Sequence, residues 1–400
     1  MLNADRWLLP DGIGEVLPGH ADQVESLRRR LLDLYRTWGY ELIIPPLMEF
    51  TESLLIGNNR DLDLQTFKVT DQLSGRTMGI RADITPQAAR IDAHSLSRKG
   101  PVRLCYAGSV LHTRPANAFA SRSPIQVGVE CFGIKDLMAD IEVISLMAET
   151  LHAAEIKKIT LSLGHVDLFR ALTEWAKLNA AQMETLLDIL QRKAAKELKE
   201  FFRDANCDAK ITVVFEQLIQ LNGDVSVLSK ARAQLGDISP AVLSAIAELE
   251  QVAAQISSRY VDISIHVDLA ELPGYHYHNG IVFAAYVEGA GAAVANGGRY
   301  DAVGTVFGRA RPATGFNADL KTILSLSAMG QHGLSNVLAK GIVVEIQQDA
   351  LQWQTIVALR KKGERVVCVT AGATIDFVEL DCDRQLVQEK NQYVVKSVSF

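Results

Sequence analysis

Two short segments carry side chains that can hold a small charged ligand. In 81–90 (RADITPQAAR), Asp83 and Thr85 place a carboxylate and a hydroxyl oxygen at i and i+2. Both can converge on one cation, and a charge-assisted hydrogen bond is roughly twice as strong as a neutral one. Taken alone, the same segment reads as the N-cap region of a helix. In 126–133 (QVGVECFG), strand alternation puts Gln126, Gly128 and Glu130 on one face, and a glycine between two polar residues leaves room for a ligand. Taken alone, this one reads as the polar face of an edge strand. A third segment, 272–283, contains His276 and His278. Two imidazoles at i and i+2 without a nearby third ligand cannot complete a tetrahedral zinc site, so no metal and no cofactor are expected.

These groups need elements to position them. Val24, Leu27, Leu31, Leu34, Tyr35 and Trp38 recur at helical spacing over 20–38, which predicts an amphipathic helix ending at Gly39. A short strand, 40–44, follows and stops at Pro45-Pro46, because proline cannot donate to a ladder. Further strands are predicted at 102–110, 126–134 and 159–163, with a helix over 138–153. From about 168 to 258 Ala, Leu, Glu, Lys and Gln dominate, which predicts a helical insertion whose clearest stretches are 183–202 and 240–256. Strands resume at 261–267, 280–287 and 292–295, and a helix is predicted to begin near Gly315. After Lys340 the order is strand (341–346), helix (351–362), strand (365–370), a small α/β segment. Helices interspersed among consecutive strands, without a regular βαβα rhythm, point to an α+β fold with a mainly antiparallel sheet flanked by helices.

Composition narrows the classes of function. With 400 residues and 48% hydrophobic content the chain can bury a large core. No apolar run approaches the ~20 residues of a spanning helix, and residues 1–10 lack the features of a secretory signal, so a cytoplasmic protein with no membrane partner is expected. Five widely separated cysteines without a CxxC pair read as reduced thiols. A net charge of −6 disfavours nucleic acid as the principal partner, since phosphate binding relies on clustered Lys and Arg.

Five segments in order over 1–326 resemble the histidyl-tRNA synthetases, a family of class II aminoacyl-tRNA synthetases. Residues 39–49 (GYELIIPPLME) are similar to motif 1, which builds the family's dimer interface. Residues 81–90 are similar to the segment whose acid and threonine hold the amino acid's ammonium group. Residues 126–133 resemble the strand lining the histidine pocket, residues 272–283 the loop and strand that recognise the imidazole, and residues 296–301 (NGGRYD) with 311–316 (RPATGF) the glycine-rich turn and motif 3. The resemblance implies a histidine pocket made by Asp83, Thr85, Gln126, Glu130, Tyr277 and His278, the last two aligning with paired tyrosines of the family.

The positions that should handle ATP depart from that pattern. His112 and Arg114 stand where motif 2 supplies an arginine and a glutamate, Pro273 where a histidine-specific arginine precedes Gly274, and Thr322 where motif 3 closes on arginine. Arginine matches phosphate geometry and stays protonated. Losing one preorganised donor costs about 10² to 10³ in rate, so losing three abolishes useful adenylation. Only about 60 residues follow Lys340, too few for a full anticodon-reading domain.

A class II body (1–326, with the insertion at about 168–258) and a short C-terminal domain (327–400), without activation chemistry, resemble the regulatory subunits of ATP phosphoribosyltransferase. That resemblance implies a non-catalytic subunit that dimerises, assembles with the short-form catalytic subunit for the first step of L-histidine biosynthesis, and conveys feedback by histidine. Free histidine would bind in this chain, or act on the catalytic subunit or the joint surface. The alternative is an active histidyl-tRNA synthetase-like, ATP-dependent aminoacyl ligase.

Overall fold

The computed structural model describes residues 7–55, 60–115, 120–272, 274–275, 277–301, 303–327, 330 and 340–398. The chain divides into two compact units, Met1–Gln331 and His332–Phe400.

In the first unit the periodicity of 20–38 becomes helix α1 (His20–Thr37), which buries Val24, Leu27, Leu31 and Tyr35. Each fully buried leucine there contributes roughly 1.5–3 kcal/mol. The chain turns at Gly39, whose φ of 83° suits a residue without Cβ, and enters β1 (Glu41–Leu42). Strands β2 (Met48–Phe50), β3 (Phe67–Thr70) and β4 (Thr77–Ile80) form a separate antiparallel sheet ordered β2-β4-β3, with the short helices α2 (Thr51–Leu54) and α3 (Arg60–Gln65) between its first two strands. Helix α4 (Thr85–Arg90) continues as a π-helical turn, Ile91–Leu96.

Strands β5 (Val102–Ser109) and β6 (Ile125–Phe132), helix α5 (Met138–Ala153) and strand β7 (Ile159–His165) follow. Helix α5 is apolar nearly all round because it is covered on nearly every side. The insertion comprises α6 (Val166–Trp175), α7 (Ala180–Gln191), α8 (Ala195–Asp204), α9 (Ala209–Gln220), β8 (Asn222–Gly223), α10 (Ser226–Leu235) and α11 (Pro240–Arg259). Then come β9 (Ile263–Asp268), β10 (Ile281–Val287), β11 (Ala295–Arg299), β12 (Ala313–Asp319) and α12 (Leu320–Leu326).

The resulting nine-stranded sheet has the order β1-β5-β6-β12-β11-β10-β7-β9-β8. Only the β1–β5 and β7–β9 pairs are parallel. The second follows from topology, since parallel neighbours need a long crossover and the insertion supplies it. The fold is α+β, as the pattern predicted.

Three local expectations are corrected. The stretch 183–202 is two helices, interrupted where Lys193 adopts a positive φ of 51° and its ammonium reaches Asp268, 2.6 Å away on the buried end of β9. The strand expected at 292–295 lies at Ala295–Arg299, and it incorporates the glycines read as a turn. A Cβ on Gly297 would lie 2.1 Å from the Gly315 carbonyl oxygen, so the glycines serve close packing of strands and not a reversal. The segment around Gly315 is strand β12, and the helix starts only at Leu320, where the Asp319 side chain caps it by accepting from the Lys321 amide.

The second unit contains β13 (Gly341–Ile346), α13 (Ala350–Lys361), β14 (Val366–Thr370), β15 (Cys382–Glu389) and β16 (Gln392–Ser397), in the sheet order β14-β13-β15-β16. Its core is Ile342, Val344, Ile356, Val366 and Leu386. The hairpin β15–β16, which the sequence reading did not include, turns on Lys390-Asn391 with both φ angles positive, the two-residue turn whose twist suits antiparallel strands.

Strand β11 is held to α5 by a buried ion pair. Arg299 Nε donates to Asp140 Oδ2 at 3.1 Å, and Asp140 is fully buried. Removing one partner leaves the other charge uncompensated inside the protein. Asp140→Ala is therefore expected to lower the unfolding free energy by about 3–5 kcal/mol, measured from the urea midpoint at unchanged m-value.

Candidate ligand-binding site

Directly opposed residues of an antiparallel pair share a face of the sheet. Tyr106 opposes Gly128, Glu130 opposes Gly315, and Asn296 opposes Asn317. The central strands β5, β6, β12 and β11 thus present these side chains, with Gly298, on one face. The other face, with Val127, Val129 and Cys131, packs in one core with Leu27, Leu31 and Tyr35 of α1 and with α5.

Glycine makes the floor of a cavity there. A Cβ on Gly315 would lie 1.7 Å from Glu130 Oε2, and one on Gly128 would lie 2.6 Å from the Tyr106 hydroxyl. The cavity encloses about 360 Å³ of atom-free space, its open mouth included, and its walls include Asp83, Thr85, Glu130, Tyr277, His278 and Tyr300.

Glu130 is only 1% exposed. The Tyr106 hydroxyl donates to its Oε1 at 2.9 Å, and the Tyr300 hydroxyl donates to Oε2. Burial pushes the carboxyl up to about 8, against the opposing effect of the hydroxyls of Tyr300, Thr85 and Tyr106. Asp83 sits just before α4, where its Oδ1 accepts from the Thr85 amide at 3.0 Å and from Gln126 Nε2 at 2.9 Å. The cap-like contact that the pattern allowed and the ligand-facing carboxylate are thus the same residue, with Oδ2 left as the atom able to take a ligand.

Gln126 does not line the cavity. Its amide holds Asp83 with one end and accepts from the Ile84 amide at 2.8 Å with the other, so it positions the acid. Thr85 lies 3.3 Å from the Tyr106 hydroxyl. Tyr277 packs on Tyr300 with ring centroids 5.2 Å apart, and its buried hydroxyl has no hydrogen-bond partner among the described residues. His278 fits between Gly274 and Gly298, where any Cβ would collide with its ring. Its Nδ1 lies 3.2 Å from the Arg299 carbonyl and donates to it, and burial pushes the imidazole down to about 4, so it is neutral.

Of the positions aligned with ATP-handling groups, His112 Nε2 contacts the Ala82 carbonyl at 2.9 Å and Thr322 donates to Asp319 at 2.8 Å within the α12 cap. Arg114 is exposed on its loop. Pro273 and His276 lie outside the described residues. Among the described residues no group of three or more His, Cys, Asp or Glu side chains could hold a metal. The sequence reading did not single out Tyr106 and Tyr300 as site residues. Tyr106 shares one face of its predicted strand with Leu104 and Gly108, neither of which marks it as polar. Tyr300 depended on β11 being a strand.

Residues 12–323 match the family model described as histidyl-tRNA synthetase, and residues 339–396 match that of the ATP phosphoribosyltransferase subunit HisZ C-terminal domain. Fold and pocket together define a class II protein of the histidyl-tRNA synthetase type. Proteins of Cellvibrio japonicus and Thioalkalivibrio sulfidiphilus, both named ATP phosphoribosyltransferase regulatory subunit, are 50% and 49% identical over 395 and 396 residues, covering 99% of this chain and 98% and 99% of theirs. The chain belongs to the family of ATP phosphoribosyltransferase regulatory subunits. A Bacillus halodurans structure titled ATP phosphoribosyltransferase regulatory subunit/histidyl-tRNA synthetase matches with a TM-score of 0.80 at 26% identity, covering 95% of this chain and 97% of that one. A histidyl-tRNA synthetase from Nostoc shares the fold, with a TM-score of 0.76 at 18% identity over 95% of this chain and 91% of that one.

The raised carboxyl of Glu130 has a consequence for stability. The folded protein holds this proton more tightly than the unfolded chain does, so the contribution is complete in acid, below the ordinary carboxyl range, and is lost as the pH rises through about 8. Glutamine does not titrate. Glu130→Gln is therefore expected to gain on the parent in thermal midpoint as the pH is raised from about 5 to about 8; a pH-independent gap would place the carboxyl's titration elsewhere.

Proposed function

We propose that this chain is the non-catalytic regulatory subunit that assembles with a short-form ATP phosphoribosyltransferase catalytic subunit in the cytoplasm, supports the first step of L-histidine biosynthesis and conveys feedback by histidine. The observation that carries the reading is the pocket itself: an acid, a buried carboxyl and an unpartnered tyrosine hydroxyl surround a cavity of amino-acid size, without a Lys or Arg among its described lining residues. Histidine binds with its ammonium at Asp83 and Thr85 and its imidazole between Glu130 and Tyr277, while a triphosphate finds no guanidinium there. The names of the relatives support the partner. The class II body, 1–326, carries the pocket, and 327–400 form the C-terminal domain. No helix among the described residues is long and apolar enough to cross a membrane.

Self-association through the motif 1 region fits the sheet edge. Among the described residues strand β1 has a neighbour on one side only, and the apolar side chains on and after it are open: Leu42 is 49% exposed, Ile44 86% and Leu47 49%. An unpaired edge beside open apolar groups is a template for pairing with a second copy.

Three measurements test these statements. Mixed with a short-form catalytic subunit, the chain is expected to raise phosphoribosyl-ATP formation and to make it sensitive to histidine. Alone it is expected to show no histidine-dependent ATP–pyrophosphate exchange, and robust exchange would favour the ligase reading instead. Ile44→Glu is expected to shift the parent's sedimentation from dimer toward monomer while leaving its circular dichroism unchanged.

A further inference from the structure

Histidine offers three polar groups, and the proposed pocket answers two of them. The ammonium meets Asp83, whose Oδ1 is fixed by Gln126 and the Thr85 amide. The imidazole meets Glu130 and the Tyr277 hydroxyl, which has no other partner among the described residues. The α-carboxylate meets no cation, since the described lining residues include neither lysine nor arginine.

Three cations on the surrounding elements are committed elsewhere. Arg81 donates to the carbonyls of Ser109 and Pro45, at 2.9 and 2.8 Å. Arg122 donates to the carbonyls of His112 and Asp11, each at 3.0 Å. Lys321 donates to Ser121 Oγ at 3.2 Å and to the Ser123 carbonyl. The imidazole of His278 is neutral and its Nδ1 proton is directed to the Arg299 carbonyl. Asn296 and Asn317 offer only neutral amide donors. A carboxylate entering such a site loses hydration, gains no charged partner, and lies in the field of Asp83.

We infer that the pocket selects an ammonium joined to an imidazole and is indifferent to the carboxylate between them, so that its ligand class is imidazole-bearing amines, with L-histidine one member and carboxylate-free compounds bound at least as tightly. This rests on the histidine-pocket reading above and goes further by naming which ligand groups are read. Asp83 and Glu130 are the specificity-determining residues, one for each end of the ligand, and the hydroxyl pair of Tyr106 and Tyr300 fixes the second.

Calorimetric titration of the full-length chain with L-histidine, L-histidinol, histamine and imidazole tests it. L-Histidinol and histamine are expected to bind with dissociation constants at or below that of L-histidine, and imidazole, which lacks the ammonium, far more weakly. Asp83→Asn, nearly isosteric, is expected to weaken all three amines together by about tenfold or more and to leave imidazole unchanged, with circular dichroism reporting the fold. L-Histidine binding about tenfold or more tightly than L-histidinol would show that a cation engages the carboxylate and would overturn the inference while leaving the histidine pocket in place. Absence of binding by all four compounds would overturn both.

Discussion

Glu130 is a carboxyl group at the centre of a nine-stranded sheet, almost without exposure to water. An unsatisfied carboxyl in such surroundings costs several kcal/mol, and the surrounding structure is arranged to avoid that. Tyr106 reaches it from β5 and Tyr300 from the end of β11, one hydroxyl for each oxygen. The Tyr106 ring could not stand there if Gly128 carried a Cβ, nor could the Glu130 carboxyl if Gly315 did. Gly315 directly across from Glu130, and Gly128 across from Tyr106, are therefore requirements of the carboxyl and its donors. The same glycines leave the cavity open, so the solution to a burial problem also creates the ligand site.

Strand alternation then divides the labour between the two faces. Along β11, Asn296, Gly298 and the following Tyr300 look toward the cavity, while Arg299 points back to Asp140 on α5. Every second residue serves recognition and the intervening ones serve stability. The insertion is tied into the same scaffold and is not an independent appendage. Helix α11 shares the apolar core of α5 and β7, and Lys193 reaches across to Asp268. The break between α7 and α8 is the backbone cost of that reach, a residue held at positive φ in exchange for neutralising a buried carboxylate.

Two positions aligned with ATP-handling groups, His112 and Thr322, and Arg122 beside the first, hydrogen-bond to the protein itself. His112 contacts the Ala82 carbonyl, Arg122 holds the His112 and Asp11 carbonyls, and Thr322 completes the α12 cap. These bonds stabilise the loops around the cavity without presenting positive charge to it. A protein can thus keep the positioning framework of Asp83 and Glu130 while lacking the means to stabilise charge developing on a phosphate. Regulation through such a pocket needs only that the ligand bind one assembly state better than another, a difference of ~1–3 kcal/mol in typical cases.

Much of this was legible in the residues themselves. The apolar period of α1, the alternation of β6, the charge-bearing order of 81–90 and the glycine content of 296–301 are local properties, and with the resemblance they supported they carried the α+β class, the family and five of the residues that line the cavity: Asp83, Thr85, Glu130, Tyr277 and His278. What the sequence could not decide depended on which strands become neighbours. Gly315 reads as a helix start until β6 lies beside it, Gln126 reads as a pocket wall until Asp83 takes up its amide, and Tyr106 and Tyr300 are unremarkable aromatics until both hydroxyls converge on one carboxyl. Periodicity is written along the chain, but burial, and with it the protonation of Glu130 and the neutrality of His278, is a property of packing between segments far apart in sequence, and only the tertiary structure sets it.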